Sequence, residues 1–379
     1  MACGSNKKPL KEKDLKRFKL MEAFREALET QMKGRTPSAT EKDPRRNLTL
    51  PDYFTLFLFG LFNPMIASMR GLCEVSHMEN VQEQLEGLPV SIGSFSAAQS
   101  LFEPELLPGV FEELSANFKS KSDAQDPRLK DLKATLMAVD GTLLKALPRM
   151  AWALYQNEKN TAVKLHCKLE LKNLKPAEIK LTEGKYCERK ALKAMFRAGE
   201  FYLADRYYGQ SYGYFEEILK ARADFLIRIR NAPKSIVELE TFEVNATARK
   251  VGVVKDGKIK LGDNPTPLRW VEIRVDGKTF NLITHRMDLE ADLISHLYRQ
   301  RWQVETFFKW FKCLMSKRHW FAESPQGVAI QVYLTLIASL LLMHALGRAP
   351  NKRQRELIGY YVFGLATLEE LLGRLKLKL

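Results

Sequence analysis

Apolar and polar positions repeat with a helical period through the stretch YRQRWQVETFFKWFK, at residues 298–312. When the stretch is wound at about 100° per residue, a polar stripe only about 60° wide collects Tyr298, Arg301, Glu305 and Lys312. The arc beside this stripe is apolar and contains Leu293, Leu297, Val304, Phe307, Phe308 and Phe311. A merely solvated stripe would lie opposite the apolar face. The pattern therefore predicts a continuous helix with a carboxylate at the rim of a groove.

Strands and helices are predicted to alternate after residue 127. KATLMAVDGTLLKAL indicates a strand that ends near Asp140 at a glycine turn. TAVKLHCKLEL alternates strictly, with one apolar face made of Val163, Leu165, Cys167, Leu169 and Leu171. Helices near 188–198 and in YGYFEEILKARA flank the strands FYLAD, which ends at Asp205, and DFLIRIR. The alternation predicts an α/β fold.

The segments around this region have other patterns. Residues 232–285 are rich in strand signals, with hairpins expected at KDGK and VDGK, and predict a β-rich insertion. Residues 1–47 form a basic arm with a helical pattern, and residues 48–125 a small helical module in which Ser94 is a candidate N-cap. That module is compatible with DNA binding by a helix-turn-helix, or with a plain packing role. Residues 348–379 predict an amphipathic helical segment, a candidate for dimerisation.

Composition restricts the partners and the compartment. The 379 residues carry 60 Lys and Arg against 45 Asp and Glu, a net charge of +15, which favours a polyanion such as nucleic acid, although a basic protein without such a partner fits too. The five cysteines have no CxxC pair, which is typical of reduced thiols in the cytoplasm. The apolar run at 328–346 is long enough to span a membrane, but Gln331 and His344 interrupt it, so we expect a buried core helix and no membrane partner.

Three carboxylates form a candidate metal site. Asp140 and Asp205 are each predicted at a strand end, where an α/β sheet holds catalytic groups rigidly, although a single such Asp is more often a turn former. With Glu305 they would make an all-oxygen site suited to Mg²⁺, with Mn²⁺ as a substitute. Two such ions can activate water and stabilise a leaving oxygen of a phosphodiester. Cations near Glu305, including Lys309, would then bind phosphates.

These residues resemble a known family. The spacing Tyr298-x2-Arg301-x3-Glu305-x6-Lys312 matches the Y-R-E-K signature of bacterial insertion-sequence transposases of the IS-four type, and the likeness extends over about 132–346. The resemblance implies an RNase H-like catalytic domain at 126–231 and 286–347, interrupted by the β-rich insertion. It also implies a D-D-E triad of Asp140, Asp205 and Glu305 that acts as catalytic and metal-binding set.

The resemblance further implies how DNA is held. Tyr298, Arg301 and Lys312 would contact the DNA backbone near the transposon end, where phosphate contacts position the duplex. An ion pair of Arg301 with Glu305 four residues on is the alternative. Further candidates are Arg206, Lys317, Arg318 and Trp320, the last as a stacking platform for a displaced base. Trp302 and Trp310 are other stacking candidates, for which core packing is the expectation.

Two positions near the triad are set aside. His166 in its alternating strand is interpreted as hydrogen-bonded structure and is left out of the metal site. Cys187-Glu188 follows TEGKY where the family resemblance leads us to expect an aspartate, a departure outside the triad.

The function implied is a DNA transposase that recognises terminal inverted repeats, cuts them by metal-assisted attack of water, and joins the released 3′-OH to target DNA. The family resemblance also implies hairpin ends, a cut-and-paste route and a homodimer bridging two ends, in the bacterial cytoplasm and on the nucleoid. The alternatives are a metal-dependent nuclease of the same fold that cuts without joining, and a domesticated DNA-binding protein.

Overall fold

A computed structural model describes residues 19–38, 41–62, 66, 68–85, 87, 89–119, 128–129, 132–147, 150–157, 160–233, 236–262, 266–315, 320–362 and 365–375. The chain divides into two compact units. The helical unit comprises Met1–Lys121, Ala146–Trp152 and Lys309–Leu379, and the sheet unit comprises Ser122–Lys145 and Ala153–Phe308.

Helices dominate both ends of the described chain. In chain order they are α1 (Lys19–Met32), α2 (Leu50–Phe62), α3 (Met69–Ser76), α4 (Glu79–Leu85), α5 (Ile92–Leu101), α6 (Leu106–Asn117), α7 (Glu188–Ala194), α8 (Gly213–Lys220), α9 (Ala246–Lys250), α10 (Ala291–Gln300), α11 (Trp302–Met315), α12 (Pro325–Leu346), α13 (Lys352–Val362) and α14 (Leu368–Leu375). The helical patterns near the N-terminus, in the module at 48–125 and at the C-terminus are thus confirmed within the described residues.

The helical unit buries an aromatic core. Tyr53 on α2 is fully buried, with its ring 4.9 Å from that of Phe95 and 5.6 Å from that of Phe102. The N-cap predicted at Ser94 is wrong by one turn. The hydroxyl of Ser91 accepts the N–H of Ser94, because α5 begins at Ile92 and leaves that N–H without a partner inside the helix.

Helix α12 is the core helix that its apolar run predicts. Ser324 caps it by accepting the N–H of Gly327 at 3.1 Å, Pro325 occupies its first turn, and Gly347 ends it in the left-handed region at φ 65°. In the part of the chain that the structure describes, α12 alone is long and apolar enough to cross a membrane, and 72% of its most apolar window is buried inside the protein.

One sheet of ten strands organises the sheet unit. The strands are β1 (Thr135–Lys145), β2 (Leu154–Asn157), β3 (Asn160–Glu170), β4 (Lys175–Glu183), β5 (Glu200–Ala204), β6 (Asp224–Ile229), β7 (Ile236–Thr241), β8 (Val253–Leu261), β9 (Leu268–Val275) and β10 (Lys278–Thr284). Their order is β2-β3-β1-β5-β6-β10-β9-β8-β7, with β4 also paired to β3. The β1–β5 and β5–β6 pairs are parallel, and the remaining pairs are antiparallel. The strands of 232–285 therefore extend this sheet beyond β6.

Alternation along the central strands assigns their two faces. One face carries a core cluster that includes Met137, Val139, Tyr202, Ala204, Phe215, Phe225, Ile227 and Ile283. The intervening residues Ala138 and Leu203 point the other way. They are buried as well, and α10 packs against β5. The central strands are thus buried on both faces, as parallel strands are.

The two predicted hairpin signals have different outcomes. VDGK forms the β9–β10 turn, with Asp276 and Gly277 both at positive φ, as a type I′ turn requires. KDGK is not a turn, because it lies inside β8. Asp256 is buried there in an ion pair with Arg269 at 2.6 Å, and a Cβ on Gly257 would meet the carbonyl oxygen of Glu240 at 2.7 Å. Buried pairing and close backbone approach explain this Asp-Gly pair.

The Asp256–Arg269 pair also fixes the chain that leads into α10. The Arg269 guanidinium donates to the backbone carbonyls of Met287 at 3.3 Å and Leu289 at 2.5 Å. Both partners of the ion pair are fully buried, so removal of Asp256 leaves a buried charge uncompensated.

We therefore expect Asp256→Ala to lower the free energy of unfolding by about 3–5 kcal/mol, measured by urea unfolding. Arg274→Ala is the matched control, because its ion pair with Glu272 lies at the surface, and it should cost less than about 1 kcal/mol. Equal costs for the two substitutions would contradict the assignment of Asp256 as a buried partner.

Candidate catalytic site

Parallel pairing of β1 with β5 brings Asp140 and Asp205 to one level of the sheet. Ala138 lies opposite Leu203 in that pairing, and each aspartate is two residues further along its own chain. Neighbouring strands are only about 4.8 Å apart, so the two carboxylates are placed as close neighbours. Asp205 directly follows the last residue of β5, as predicted.

Asp140 does not end its strand, contrary to the sequence prediction. Strand β1 continues through Gly141 to Lys145, because β3 pairs with it over Met137–Lys145 and supplies hydrogen bonds beyond the end of β5. The side chain folds back so that Oδ1 accepts the N–H of Gly141 at 2.8 Å. Asp140 thus projects from the middle of a rigid strand, just past its parallel neighbour.

Burial and crowding disfavour the charged form of Asp140. Burial is the larger cause and the nearby Asp205 carboxylate adds to it, and together they raise the pKa of Asp140 to about 7. The Gly141 N–H and the Arg301 guanidinium act in the opposite direction and lower that pKa. An extra cation at this point would therefore stabilise the ionised carboxylate.

Backbone hydrogen bonds fix the Asp205 segment. The Oδ1 atom of Asp205 accepts the N–H of Tyr207 at 2.9 Å, and its carbonyl accepts the N–H of Tyr208 at 3.2 Å. Tyr208 is buried in the core cluster and anchors the turn. The second aspartate is thus held by its own loop and leaves its other carboxylate oxygen, Oδ2, outside these contacts.

Glu305 lies on α11, but the continuous helix predicted for this stretch is wrong. Helix α10 ends at Gln300 and α11 begins at Trp302, with Arg301 as the residue between them. Here the N–H of Arg301 donates to Tyr298 at 3.2 Å and that of Val304 donates to Arg301 at 3.2 Å, which is the tighter three-residue pattern. This tighter turn shifts Tyr298 relative to Glu305 from the positions expected on an ideal wheel.

Arg301 links Glu305 to Asp140. One guanidinium nitrogen donates to Oε1 of Glu305 at 2.7 Å, and the other lies 3.9 Å from Oδ2 of Asp140. The Arg301 side chain is only 8% exposed, compared with 20% for Asp140 and 27% for Glu305. The i,i+4 ion pair considered as the alternative is present, and through Arg301 it links Glu305 to Asp140.

The donor set fits a divalent cation in kind. Carboxylate oxygens are the ligands that Mg²⁺ and Mn²⁺ prefer, and a bound cation would favour the ionised form of Asp140, which burial and then Asp205 disfavour. However, no three His, Cys, Asp or Glu side chains among the described residues stand close enough together to hold a metal ion. The guanidinium of Arg301 instead pairs with two of the three expected donors.

Tyr298 is buried rather than exposed on a polar stripe. Its ring packs edge-on against Phe280 at 6.2 Å, and the Arg301 guanidinium lies 6.0 Å from its centroid. Burial raises the pKa of Tyr298 to about 12. Tyr298 therefore packs against the Arg301 guanidinium inside the protein.

The remaining predicted DNA contacts lie on several segments of the chain. Arg206 is exposed beside Asp205, whereas Lys309 and Lys312 are exposed on the part of α11 that belongs to the helical unit, and Trp320 is half-buried. Lys317 and Arg318 lie outside the described residues. Trp310 is buried as expected, but the core packing expected for Trp302 is wrong: its indole is 56% exposed and lies 5.2 Å from the Arg301 guanidinium.

Glu188 is a neighbour of the site that the sequence did not predict. It begins α7, its carboxylate lies 3.4 Å from Lys164, and a Cβ on Gly141 would meet its carboxyl carbon at 3.0 Å. Residues 140 and 141 face opposite sides of the sheet, so Glu188 packs against the face of β1 opposite to the Asp140 side chain. The only sequence signal was the Cys187-Glu188 departure from the family pattern.

His166 stays outside the site, as expected. Its Nε2 pairs with the Thr182 hydroxyl at 2.8 Å, and burial lowers its pKa to about 3, helped by the nearby lysines. The ring is therefore neutral and structural near pH 7.

Asp140→Asn tests whether burial and the Asp205 carboxylate disfavour the charged form of Asp140. Because the folded-state pKa of Asp140 is raised from 3.8 to about 7, the folded chain binds this proton more tightly than the unfolded chain does. Asp140 therefore lowers stability progressively as the pH rises from about 4 to 7. We expect Asp140→Asn to raise the free energy of unfolding at pH 8 by up to about 4 kcal/mol, measured as a higher melting temperature. At pH 4 we expect little effect.

Asp288→Asn is the opposite control, since a hydrogen bond from Arg286 lowers the pKa of Asp288. That variant should lose stability at pH 8 rather than gain it. A gain for Asp140→Asn that is the same at both pH values would contradict the account.

Gly141→Ala tests the close approach of Glu188. The new methyl would crowd the carboxyl group, so we expect a loss of about 1–3 kcal/mol in urea unfolding. The same substitution in a Glu188→Ala background should cost clearly less, because the crowded group is then absent. Strict additivity of the two changes would refute the contact.

Comparison with known proteins identifies a family model and relatives that this chain matches. The family model described as the transposase DDE domain matches residues 131–341, more than half of the chain. The y4zB protein of Sinorhizobium fredii, named as a candidate transposase, is 27% identical over 244 residues, covering 62% of this chain and 66% of that protein. A Geobacillus stearothermophilus protein, named as a candidate transposase for insertion sequence element IS5377, is 25% identical over 239 residues, covering 62% of each.

The chain thus spans just under two thirds of the length of these relatives. Among solved structures, the piggyBac transposase synaptic complex with hairpin DNA aligns with 96% of this chain and 85% of that chain, at 13% identity and a TM-score of 0.46.

The match over 131–341 encloses the whole site, from Asp140 on β1 through Asp205 to Arg301 and Glu305. Over the same region the sequence supplies the Y-R-E-K spacing and both upstream aspartates. The chain belongs to the family of the transposase DDE domain.

Proposed function

We propose that this chain is a DNA transposase whose catalytic carboxylates are Asp140, Asp205 and Glu305. Two observations carry the proposal: β1 and β5 hold the two aspartates at one level, and Arg301 links Glu305 to Asp140. Family membership supports the same chemistry.

The sheet order supports an RNase H-like core. Strands β4, β3, β1, β5 and β6 lie side by side, with only β3 antiparallel to β1 and β5. In this proposal β7–β10 are the inserted strands, and they place the chain that leads into α10 through the Arg269 hydrogen bonds. The catalytic region would then span 126–231 and 286–347.

Membership of the family implies dependence on a divalent metal ion. We propose Mg²⁺, held by Asp140, Asp205 and Glu305, with Mn²⁺ able to replace it. When bound, such ions activate water and stabilise the leaving oxygen at a phosphodiester. The rigid strand β1 would hold Asp140 in position as a metal ligand, and Arg301 would neutralise phosphate charge.

The proposed reaction has two stages. Water displaces the 3′ oxygen at the element boundary, so that a P–O bond to water forms as the P–O bond to the 3′ oxygen breaks. The released 3′-OH then displaces a 3′ oxygen in a second phosphodiester, on the opposite strand as a hairpin or in target DNA. Cut-and-paste transposition through hairpin ends is part of this proposal.

DNA is the proposed partner, specifically the terminal inverted repeats and a target duplex. The net charge of +15 supports sequence-independent attraction to phosphates. We assign end recognition to the basic arm and to helices α2–α6, and dimerisation to the C-terminal segment that includes α14. The protein would act in the bacterial cytoplasm, on the nucleoid when bound to DNA.

A cleavage assay tests the proposal. The full chain is incubated with duplex DNA carrying the two ends of its own element, with Mg²⁺ or without added metal. We expect nicks at the element boundary that need the metal ion. Glu305→Gln should lower the cleavage rate by more than the roughly 10–100-fold typical of outer-shell metal partners while DNA binding is retained.

The control is Glu243→Gln, which removes an exposed carboxylate outside the site and should cleave as the wild type does. Cleavage without joining of the 3′-OH would favour the nuclease alternative. Binding to the ends without cleavage in Mg²⁺ or Mn²⁺ would favour the domesticated DNA-binding protein.

A further inference from the structure

The guanidinium of Arg301 pairs with the carboxylates of both Glu305 and Asp140. It donates to Oε1 of Glu305 at 2.7 Å and lies 3.9 Å from Oδ2 of Asp140. A carboxylate oxygen bound to a guanidinium N–H on this side is not free to ligate a cation on the same side. The two positive groups would also repel each other at contact distance in a poorly solvated site.

One donor of the Arg301 guanidinium is unused in this position. Its Nε atom is buried and has no hydrogen-bond partner among the residues that the structure describes. Two aromatic rings flank the guanidinium, with the buried Tyr298 at 6.0 Å and the exposed Trp302 at 5.2 Å. The buried guanidinium therefore lies next to a solvent-facing side chain.

We propose that Arg301 is an internal cation that blocks the metal site until DNA binds. In the DNA-free chain its guanidinium neutralises Glu305 and faces Asp140. A DNA phosphate, which accepts the same two-pronged hydrogen bonding as a carboxylate, draws the guanidinium away and frees both carboxylates for the divalent ion. This inference rests on the proposed function.

The consequence is that metal loading and DNA binding are coupled. A chain without DNA would hold Mg²⁺ or Mn²⁺ weakly, and would therefore not assemble a competent site away from its substrate. By linkage, the divalent ion would in turn tighten the hold on DNA by the same factor. The coupling depends on the positive charge of one side chain and can be removed by substitution.

The test measures Mn²⁺ binding to the full chain, by the paramagnetic resonance signal of the unbound ion. Each variant is measured alone and with a short duplex, after subtraction of the ions held by the duplex alone. For the wild type we expect the duplex to tighten Mn²⁺ binding about tenfold, the equivalent of one hydrogen bond to a charged group. Arg301→Gln should bind Mn²⁺ at the tighter level without DNA and gain little from the duplex.

Arg299→Gln is the matched control. It removes the same charge two residues away, from an exposed side chain that donates to the carbonyl of Val251, and it should behave as the wild type does. Circular dichroism checks that each variant is folded. If Arg301→Gln does not fold, Arg301→Lys decides, because a lysine reaches only one of the two carboxylates and should give a partial gain in DNA-free affinity.

Two results would overturn the inference, and they are distinguishable. If Mn²⁺ binding is lost in Asp140→Asn but is no tighter in Arg301→Gln than in the wild type, the site holds metal and Arg301 does not block it. If neither the wild type nor Arg301→Gln binds Mn²⁺ with or without the duplex, and no nicks form, the proposed function fails together with the inference.

Discussion

Main-chain hydrogen bonds between β1 and β5 bring the carboxylates of Asp140 and Asp205 together, despite the repulsion between the two side chains. The register of β1 on β5 is set by backbone pairing from Thr135 to Ala138, and the core cluster holds both strands in place. Asp140 and Asp205 follow at equal distance from that pairing, so their mutual repulsion is built into the sheet. Burial raises the pKa of Asp140 to about 7, and the nearby Asp205 carboxylate adds to that rise. The Arg301 guanidinium acts against it.

Arg301 places a positive charge beside Asp140 and Glu305, and several elements of the chain fix its position. The three-residue turn between α10 and α11 contains Arg301, and the Tyr298 ring packs beside its guanidinium. The Arg269 hydrogen bonds fix the segment from which α10 begins. Strands that are far away in the sequence therefore contribute to the position of one side chain.

Local patterns were sufficient to predict several central strands. Alternation in β3 and the apolar runs of β5 and β6 depend on neighbours in the sequence, and the structure has these strands. The spacing around Glu305 predicted a helix there but not the break at Arg301. The failures involve partners that are remote in sequence. Asp256-Gly257 has the composition of a turn, but its burial against Arg269 and its close approach to Glu240 make it part of a strand.

The same reason explains the other differences. Asp140 was expected at a strand end, but pairing with β3 extends β1 past β5. Glu188 reaches the back of β1 only because α7 packs there, which no periodicity in the sequence indicates. The exposure of Trp302 follows from the turn at Arg301, which an ideal helical wheel cannot represent. Catalytic roles for the three carboxylates are supported by position and family, and they remain the proposal on which the account depends.

The most direct test is a structure of the full chain bound to an end duplex and Mn²⁺, with the ion located by its anomalous scattering. The account predicts Mn²⁺ at coordination distance from carboxylate oxygens of Asp140, Asp205 and Glu305, with the Arg301 guanidinium on a DNA phosphate. Mn²⁺ bound elsewhere, or an Arg301 that still bridges Glu305 and Asp140 in that complex, would contradict it.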